Sequence, residues 1–353
     1  MLGGGVFVTQ NKKLPGSYIN FVSLATTSSA LGERGIVAIA LNLGKSPNSV
    51  IELNKIDFVA NSSTILGVEY SDAKVAPIRE IFKHATKVLV YDLGEEFTVA
   101  DAVKALEPYE FNVLCAYTDV SEDIDAYITA VKSWRDDLGK KCQVVIYTDI
   151  DDTEATPKTP NHEGVITVVS KVSGEGVPAY SLVAWVAGAE AGCKVNASCT
   201  NMLYDGEFAI VCDKTQSQLE ACLENGQIAF HLVYGDVRLL EDINSLTETT
   251  DDKGEDFKYN QTIRVIDQIA NDIAKLFNTK YLGKIPNNAS GRVSLWADIV
   301  AHHRELEDLQ AIEAFDATLL TVEQGATKKS VVVNDVITVV NAMAQLYMTV
   351  VVQ

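Results

Sequence analysis

From residue 35 to residue 234, short continuous apolar runs alternate with amphipathic segments, and that alternation leaves the chain few architectures. The runs Gly35 to Leu41, Lys87 to Tyr91, Phe111 to Tyr117, Cys142 to Tyr147 and Gly164 to Val169 are five to seven residues long. That is too short for a buried helix and suits a strand covered on both faces. Between and after them, helical patterns occupy residues 74–84, 99–106, 122–138 and 179–191. Strand, helix, strand in repetition gives βαβ units and a parallel sheet. The expected fold class is therefore α/β, with a central α/β sheet domain. Further strands are expected over Glu207 to Cys212 and Ile228 to Tyr234.

The polar stretch Thr247 to Asp256 interrupts this pattern and marks a boundary. Beyond it, Ile263, Ile266, Ile269, Ile273 and Leu276 recur at helical spacing, and Val293 to Ile312 reads as a second amphipathic helix. A small α+β C-terminal unit follows from these helices and the β-rich runs after Ser330. Arg264, Lys275, Lys280 and Lys284 give its first helix a modestly basic face, which is either simply solvated or a docking surface for an acidic partner.

The two ends of the chain read as extended β arms. Leu346-Tyr347-Met348-Thr349-Val350-Val351-Val352 is a strand with no turn after it, and Ser17-Tyr18-Ile19-Asn20-Phe21-Val22 is a short strand behind the turn former Pro15-Gly16. Unpaired strand edges demand partners. Paired within one subunit, they close a sheet; paired with neighbouring subunits, they build a polymer by β-strand addition.

Charge narrows the partners. Residues 1–90 carry 9 basic and 6 acidic side chains, residues 91–257 carry 11 and 32, and residues 258–353 carry 9 and 10. The acidity is thus confined to the middle, which is expected to face solvent and to repel nucleic acid and anionic membranes. No window reaches the roughly 18 apolar residues of a membrane span, so no direct membrane insertion is expected. The six cysteines include no C-x-x-C pair and are expected to be buried free thiols, with no structural zinc. His302 and His303 are adjacent on a helix, where side chains diverge by about 100 degrees, and are expected on its surface. Asp149, Asp151, Asp152 and Glu154 read as a solvated acidic loop. Phosphate-binding, dinucleotide-binding, zincin and nucleophile-elbow patterns are all missing, so no catalytic, cofactor-binding or metal residue is assigned and no cofactor is called for.

Residues 252–257 (DKGEDF), 263–273 (IRVIDQIANDI), 281–288 (YLGKIPNN), Gly291-Arg292 and 346–350 (LYMTV) resemble the tail sheath proteins of contractile-tailed phages, particularly the short PBSX-like kind also used by R-type tail-like bacteriocins. Residues 14–21 (LPGSYINF) and 34–39 (RGIVAI) resemble the same family. The resemblance implies a structural subunit that polymerises around an inner tube and contracts to drive it through a target cell envelope. It implies a helical stack of six-subunit discs, with the tail tube protein and baseplate and tail terminator proteins as partners. It implies assembly in the bacterial cytoplasm into a virion tail or a released tail-like particle.

On this reading residues 1–30 are an N-terminal arm, 31–256 the α/β core, 257–340 an inner unit facing the tube, and 341–353 a C-terminal arm. Ser17 to Val22 and Leu346 to Val352 would be the exchanged strands, and Arg264, Lys275, Lys280 and Lys284 would face the tube. The alternative is a soluble α/β enzyme or small-molecule binding protein with a pocket at the carboxyl ends of the strands.

Overall fold

A computed structural model describes residues 31–150 and 157–352. The apolar runs become β1 (Ile36–Leu41), β2 (Ser49–Asn54), β3 (Lys87–Asp92), β4 (Val113–Cys115), β5 (Gln143–Tyr147) and β6 (Val165–Val168). A two-residue pair, β7 (Val172–Ser173) and β8 (Ala209–Ile210), and then β9 (Gln227–Ile228) follow. Seven strands form one sheet in the order β2-β3-β1-β4-β5-β6-β9. It is parallel throughout except for β2, which lies antiparallel to β3 at the edge.

Alternation along each strand sorts side chains to two faces. Val37, Ile39, Val88, Val90, Val145 and Ile166 point to one core, while Ala38, Ala40, Leu89, Tyr91, Leu114 and Val144 point to the other. The first core is closed by α1 (Lys55–Leu66), α2 (Ala76–Ile81) and, further along the chain, residues 182–191; the second is closed by α3 (Val99–Leu106) and α4 (Ser121–Asp136). Thr98 caps α3 in a capping box with Asp101, as its sequence position before the helix favours.

The helix over 182–192, α5 (Leu182–Gly192), is buried from Leu182 to Ala191 and apolar on nearly every side. Its glycines permit close approach to the α2 segment. A Cβ on Gly188 would stand 2.5 Å from the carbonyl oxygen of Ile81, and one on Gly192 would stand 2.2 Å from that of His84.

Among the elements with no sequence expectation are β2, α1 and α6 (Gln216–Glu224). β2 is an edge strand with Glu52 among its residues, α1 is rich in Asn, Ser and Thr and kinks at Asn61, and α6 is mostly polar. Their apolar periodicity is weak because each is covered on one side only. The strand expected over 207–212 shrinks to β8. Its backbone is diverted, since the buried Glu80 carboxylate accepts from Glu207 N and the Tyr204 hydroxyl oxygen accepts from Phe208 N.

Past the hairpin of β10 (Phe230–Val233) and β11 (Asp236–Leu239), the C-terminal part contains α7 (Asn260–Leu276) and α8 (Ala289–Asp308). α8 starts and stops four residues earlier than its pattern suggests. Asn288 caps it by accepting from Gly291 N at 2.8 Å, and Gln310 takes a left-handed φ of 59° just past its end. Val265, Ile269 and Ile273 of α7 pack with Leu295, Ile299 and Leu306 of α8 and with Phe315 and Leu320 in a separate core. An antiparallel hairpin, β12 (Thr321–Gln324) with β13 (Val331–Asn334), completes the regular structure.

Candidate assembly interface

The final segment is anchored as far as residue 342 and free beyond it. Asp335 meets the ring of His303, Oδ2 to Nε2 at 2.6 Å. Glu313 N donates to Thr338 O, and Val340 N donates to Ala311 O. At the start of α7, Gln261 Nε2 donates to Val340 O at 3.1 Å, and Ala342 N donates to Gln261 Oε1 at 2.9 Å. This explains why His302 and His303 are fully buried rather than on the helix surface. One ring pairs with Asp272 across the core, at 3.0 Å, and the other pins the outgoing chain.

Beyond Ala342 the backbone pairs with no described strand. Met343, Leu346, Tyr347, Met348, Val350, Val351 and Val352 are all exposed, Leu346 at 86% and Val352 at 89%. A run this apolar, with an open row of N–H and C=O groups, carries the two properties a strand-addition arm needs. Ser17 to Val22 lie outside the described residues, as do Asp151, Asp152 and Glu154. Asp149, the remaining member of that acidic run, pairs with Lys171 at 2.9 Å.

The four basic residues separate. Lys275, Lys280 and Lys284 are exposed around the end of α7. Lys280 pairs with Asp298 at 2.6 Å, a bond that raises its pKa, and Lys284 Nζ donates to Thr279 O. Arg264 is not on that face: it is 2% exposed. Residues 264 and 275 share a stripe, being close to three helical turns apart. The stripe lies under the central domain along most of its length and emerges only at its end.

That buried stripe makes the polar joint of the molecule. Arg264 pairs with Glu190 at 2.6 Å and Asp242 at 3.2 Å and donates to Ala197 O at 2.7 Å. Asp267 takes both terminal nitrogens of Arg135, at 2.6 and 2.8 Å, and Asn260 accepts from Gln143 at 2.9 Å. Asp272 accepts from Gly32 N at 3.0 Å. One cation between two buried carboxylates decides their protonation. Burial and the neighbouring Asp242 push the Glu190 carboxyl well up. Burial also opposes ionisation of Asp242, but Arg264 and the hydrogen bonds around it outweigh this and hold its pKa down. The shared guanidinium thus favours ionisation of Asp242 over that of Glu190.

Among the described residues, two groupings have a metal-like set of side chains, and both are already served by cations. Glu190, Cys199 and Asp242 converge on the Arg264 guanidinium, whose NH2 lies 3.9 Å from Cys199 Sγ. In the set Asp136, His162 and Glu163, Nδ1 of His162 accepts from Gly164 N at 2.9 Å, so Nε2 carries the proton and faces the carboxylates. Lys253 neutralises Glu163 at 2.9 Å.

The carboxyl ends of the strands, where an α/β ligand site would form, are also internally filled at β1. Asp92 accepts from the backbone N–H groups of Leu43, Gly44, Lys45, Ser46 and Gly94 at 2.8–3.1 Å. A carboxylate from β3 stands where a nest of amides would otherwise hold an anion. A cavity of about 310 Å³ lies elsewhere, at the root of the free segment, lined by Ser198, Thr200, Gln261, Asn341 and Gln345.

Comparisons agree with this arrangement. Residues 96–245 match the phage tail sheath protein central domain, and residues 252–353 match the phage tail sheath C-terminal domain. A tail sheath protein of Clostridium phage phiCD119 is 27% identical over 307 residues, spanning 86% of this chain and 82% of that protein. The phage-like element PBSX protein XkdK of Bacillus subtilis is 28% identical over 62% of this chain, which spans about half, 47%, of XkdK's length. The sheath tail protein of Desulfitobacterium hafniense superposes with a TM-score of 0.74 at 25% identity, over 92% of this chain and all of that one. The helical sheath of the anti-feeding prophage in its contracted state shares the fold, with a TM-score of 0.72 at 15% identity over 97% of this chain and 99% of that one.

Proposed function

The chain belongs to the contractile phage tail sheath family, and from that premise we propose that it is the sheath subunit whose copies polymerise around an inner tube and contract to drive it through a target envelope. It is a structural protein and not an enzyme, as sheath proteins of this family are. Assembly is homo-oligomeric, with tube and baseplate components, in the bacterial cytoplasm, and the product is a virion tail or a released tail-like particle. In finer detail, the stack consists of six-subunit discs closed by a tail terminator protein.

The parts divide the work as follows. Residues 1–30 and 341–353 are linking arms, residues 31–256 the body, and residues 257–340 the unit nearest the tube. The lysines at the end of α7 face that tube. The observation that carries this reading is the exposed apolar run Leu346 to Val352, which pairs with no described strand. A main-chain hydrogen bond is worth only about 0.5–1.5 kcal/mol net, so one arm is a modest link and a lattice of them is strong. The acidic middle stays hydrated and keeps the bodies from associating out of register.

The test is deletion of residues 346–353 from the full chain. Because Leu346 to Val352 pair with no described part of the body, the variant should fold with an unchanged thermal midpoint and elute as a small species. Negative-stain microscopy should show no long striated cylinders. Cylinders of normal length from the truncated chain would refute the arm assignment.

A further inference from the structure

We infer that His302 and His303 share one proton between their Nδ1 atoms, and that the hydrogen-bonded chain this completes, from Gly32 through Asp272, His302 and His303 to Asp335, couples the roots of the two terminal segments. The two rings are neighbours on α8, fully buried, and tilted by 59° with their centroids 5.4 Å apart. Their Nδ1 atoms lie 3.3 Å from each other. Each Nε2 faces a carboxylate, Asp272 Oδ2 at 3.0 Å and Asp335 Oδ2 at 2.6 Å.

The carboxylates fix the orientation of the rings. Turning either ring over would exchange its Nε2 for a carbon and set a C–H against a carboxylate oxygen, which would lose its donor. With both rings held this way the two Nδ1 atoms must meet, and the protons can be counted. Two neutral rings, each giving its Nε2 proton to a carboxylate, would oppose two bare lone pairs. Two imidazolium rings would oppose two N–H groups. Three protons on the four nitrogens make every contact a hydrogen bond: the imidazolium donates from Nδ1 to its neutral neighbour, and both rings donate from Nε2 to the carboxylates. Both rings are 0% exposed, so no solvent relieves the other two counts. One positive charge then lies between two negative ones, which favours holding the third proton.

The surroundings fit this count. The Asp272 carboxylate also accepts from Gln268 Nε2 at 2.8 Å and from Gly32 N at 3.0 Å, so three donors converge on it, as on a charged acceptor. The ring of Phe315 packs on His303 with centroids 4.8 Å apart and offers no competing hydrogen bond. Two cations stand behind this shell: Arg34 Nη1 donates to Gln268 Oε1 at 3.4 Å, and the Arg304 guanidinium lies 5.8 Å from the centre of the Phe315 ring.

The chain of bonds joins distant parts of the sequence. Asp272 holds Gly32, at the root of the N-terminal segment, and Asp335 lies at the root of the outgoing C-terminal one. The same shared charge attracts both carboxylates, so losing one of them loosens the hold on the other. This inference is independent of the sheath reading, because it is measured on the full-length chain without assembly.

The protein carrying 15N-labelled histidine is studied by NMR at about pH 7.5, roughly one unit above the ordinary titration of a solvated imidazole. Among five histidines, the expected signature is one proton coupled to two Nδ1 nitrogens, with two Nε2 protons beside it. Two rings protonated at Nε2 alone would overturn the inference, and this reading needs no variant. Asp335→Asn then tests the coupling, since asparagine keeps an oxygen for His303 and removes the charge at a side chain that is 26% exposed. The Nδ1 proton should be lost, and the Gly32 amide, at the other end of the chain of bonds, should exchange with solvent roughly tenfold faster, about what a hydrogen bond to a charged group contributes. His303→Gln keeps a donor for Asp335, has no counterpart of Nδ1, and should quicken Gly32 in the same way. A Gly32 amide that exchanges in Asp335→Asn as it does in the parent would overturn the inference.

Discussion

Replacing Arg264 with Met removes the cation that pairs with both Glu190 and Asp242 and leaves their side chains, each about 1% exposed, around an apolar chain. Breaking a buried pair from one side costs about 3–5 kcal/mol, because the surviving charge must either stay unpaired or take up a proton. The lost bond to Ala197 O adds about 1 kcal/mol. In a chain of this length the resulting loss of about 5 kcal/mol lowers the thermal midpoint by roughly 7 °C. Glu190→Gln is the matched control. Burial and Asp242 disfavour ionisation of Glu190, which accepts from Arg264 at 2.6 Å, and a glutamine amide keeps that acceptor oxygen. It should therefore cost less than about 1 kcal/mol. Urea titration followed by tryptophan fluorescence, with Trp185 buried in the adjoining core, reads both variants. An Arg264→Met midpoint within about 1 kcal/mol of the parent, or a Glu190→Gln loss equal to that of Arg264→Met, would refute the assignment of charge in this cluster.

His162 should make stability fall in mild acid. Burial lowers its pKa in the fold, so below about pH 6.5 the unfolded chain takes up the proton first, and stability declines as pH drops. The urea midpoint of His162→Gln should fall less between pH 7.5 and 5.5 than that of the parent; parallel curves would mean the ring is not held neutral. Gly188→Ala should cost about 1–3 kcal/mol by calorimetry, since its Cβ would press on the Ile81 carbonyl and α5 has no room to retreat; an unchanged midpoint would show that the contact relaxes freely. Lys275→Glu with Lys284→Glu should leave the melting curve unchanged and reduce assembly on a purified tube, as counted in micrographs, whereas undiminished assembly would place the tube on another surface.

Much of the fold is local enough to be read along the chain. Nearly continuous apolar runs of strand length lead to β1, β3, β5 and β6, because a parallel strand covered on both faces has few polar positions. Helical spacing of isoleucines leads to α7. Weakly patterned elements at the margins, β2, α1 and α6, leave little trace since one side of each meets solvent.

The burial of polar groups was a different matter. Arg264, His302 and His303 read as surface residues, because in isolation a charged or titratable side chain favours water. Each is instead buried against a partner far along the chain: Glu190 and Asp242 for Arg264, Asp272 for His302 and Asp335 for His303. A hydrophobic period records which stripe of a helix is apolar and leaves open what meets the opposite stripe. Only the tertiary arrangement brought carboxylates to that stripe of α7, and a charge that would have cost several kcal/mol alone became a paired member of the joint.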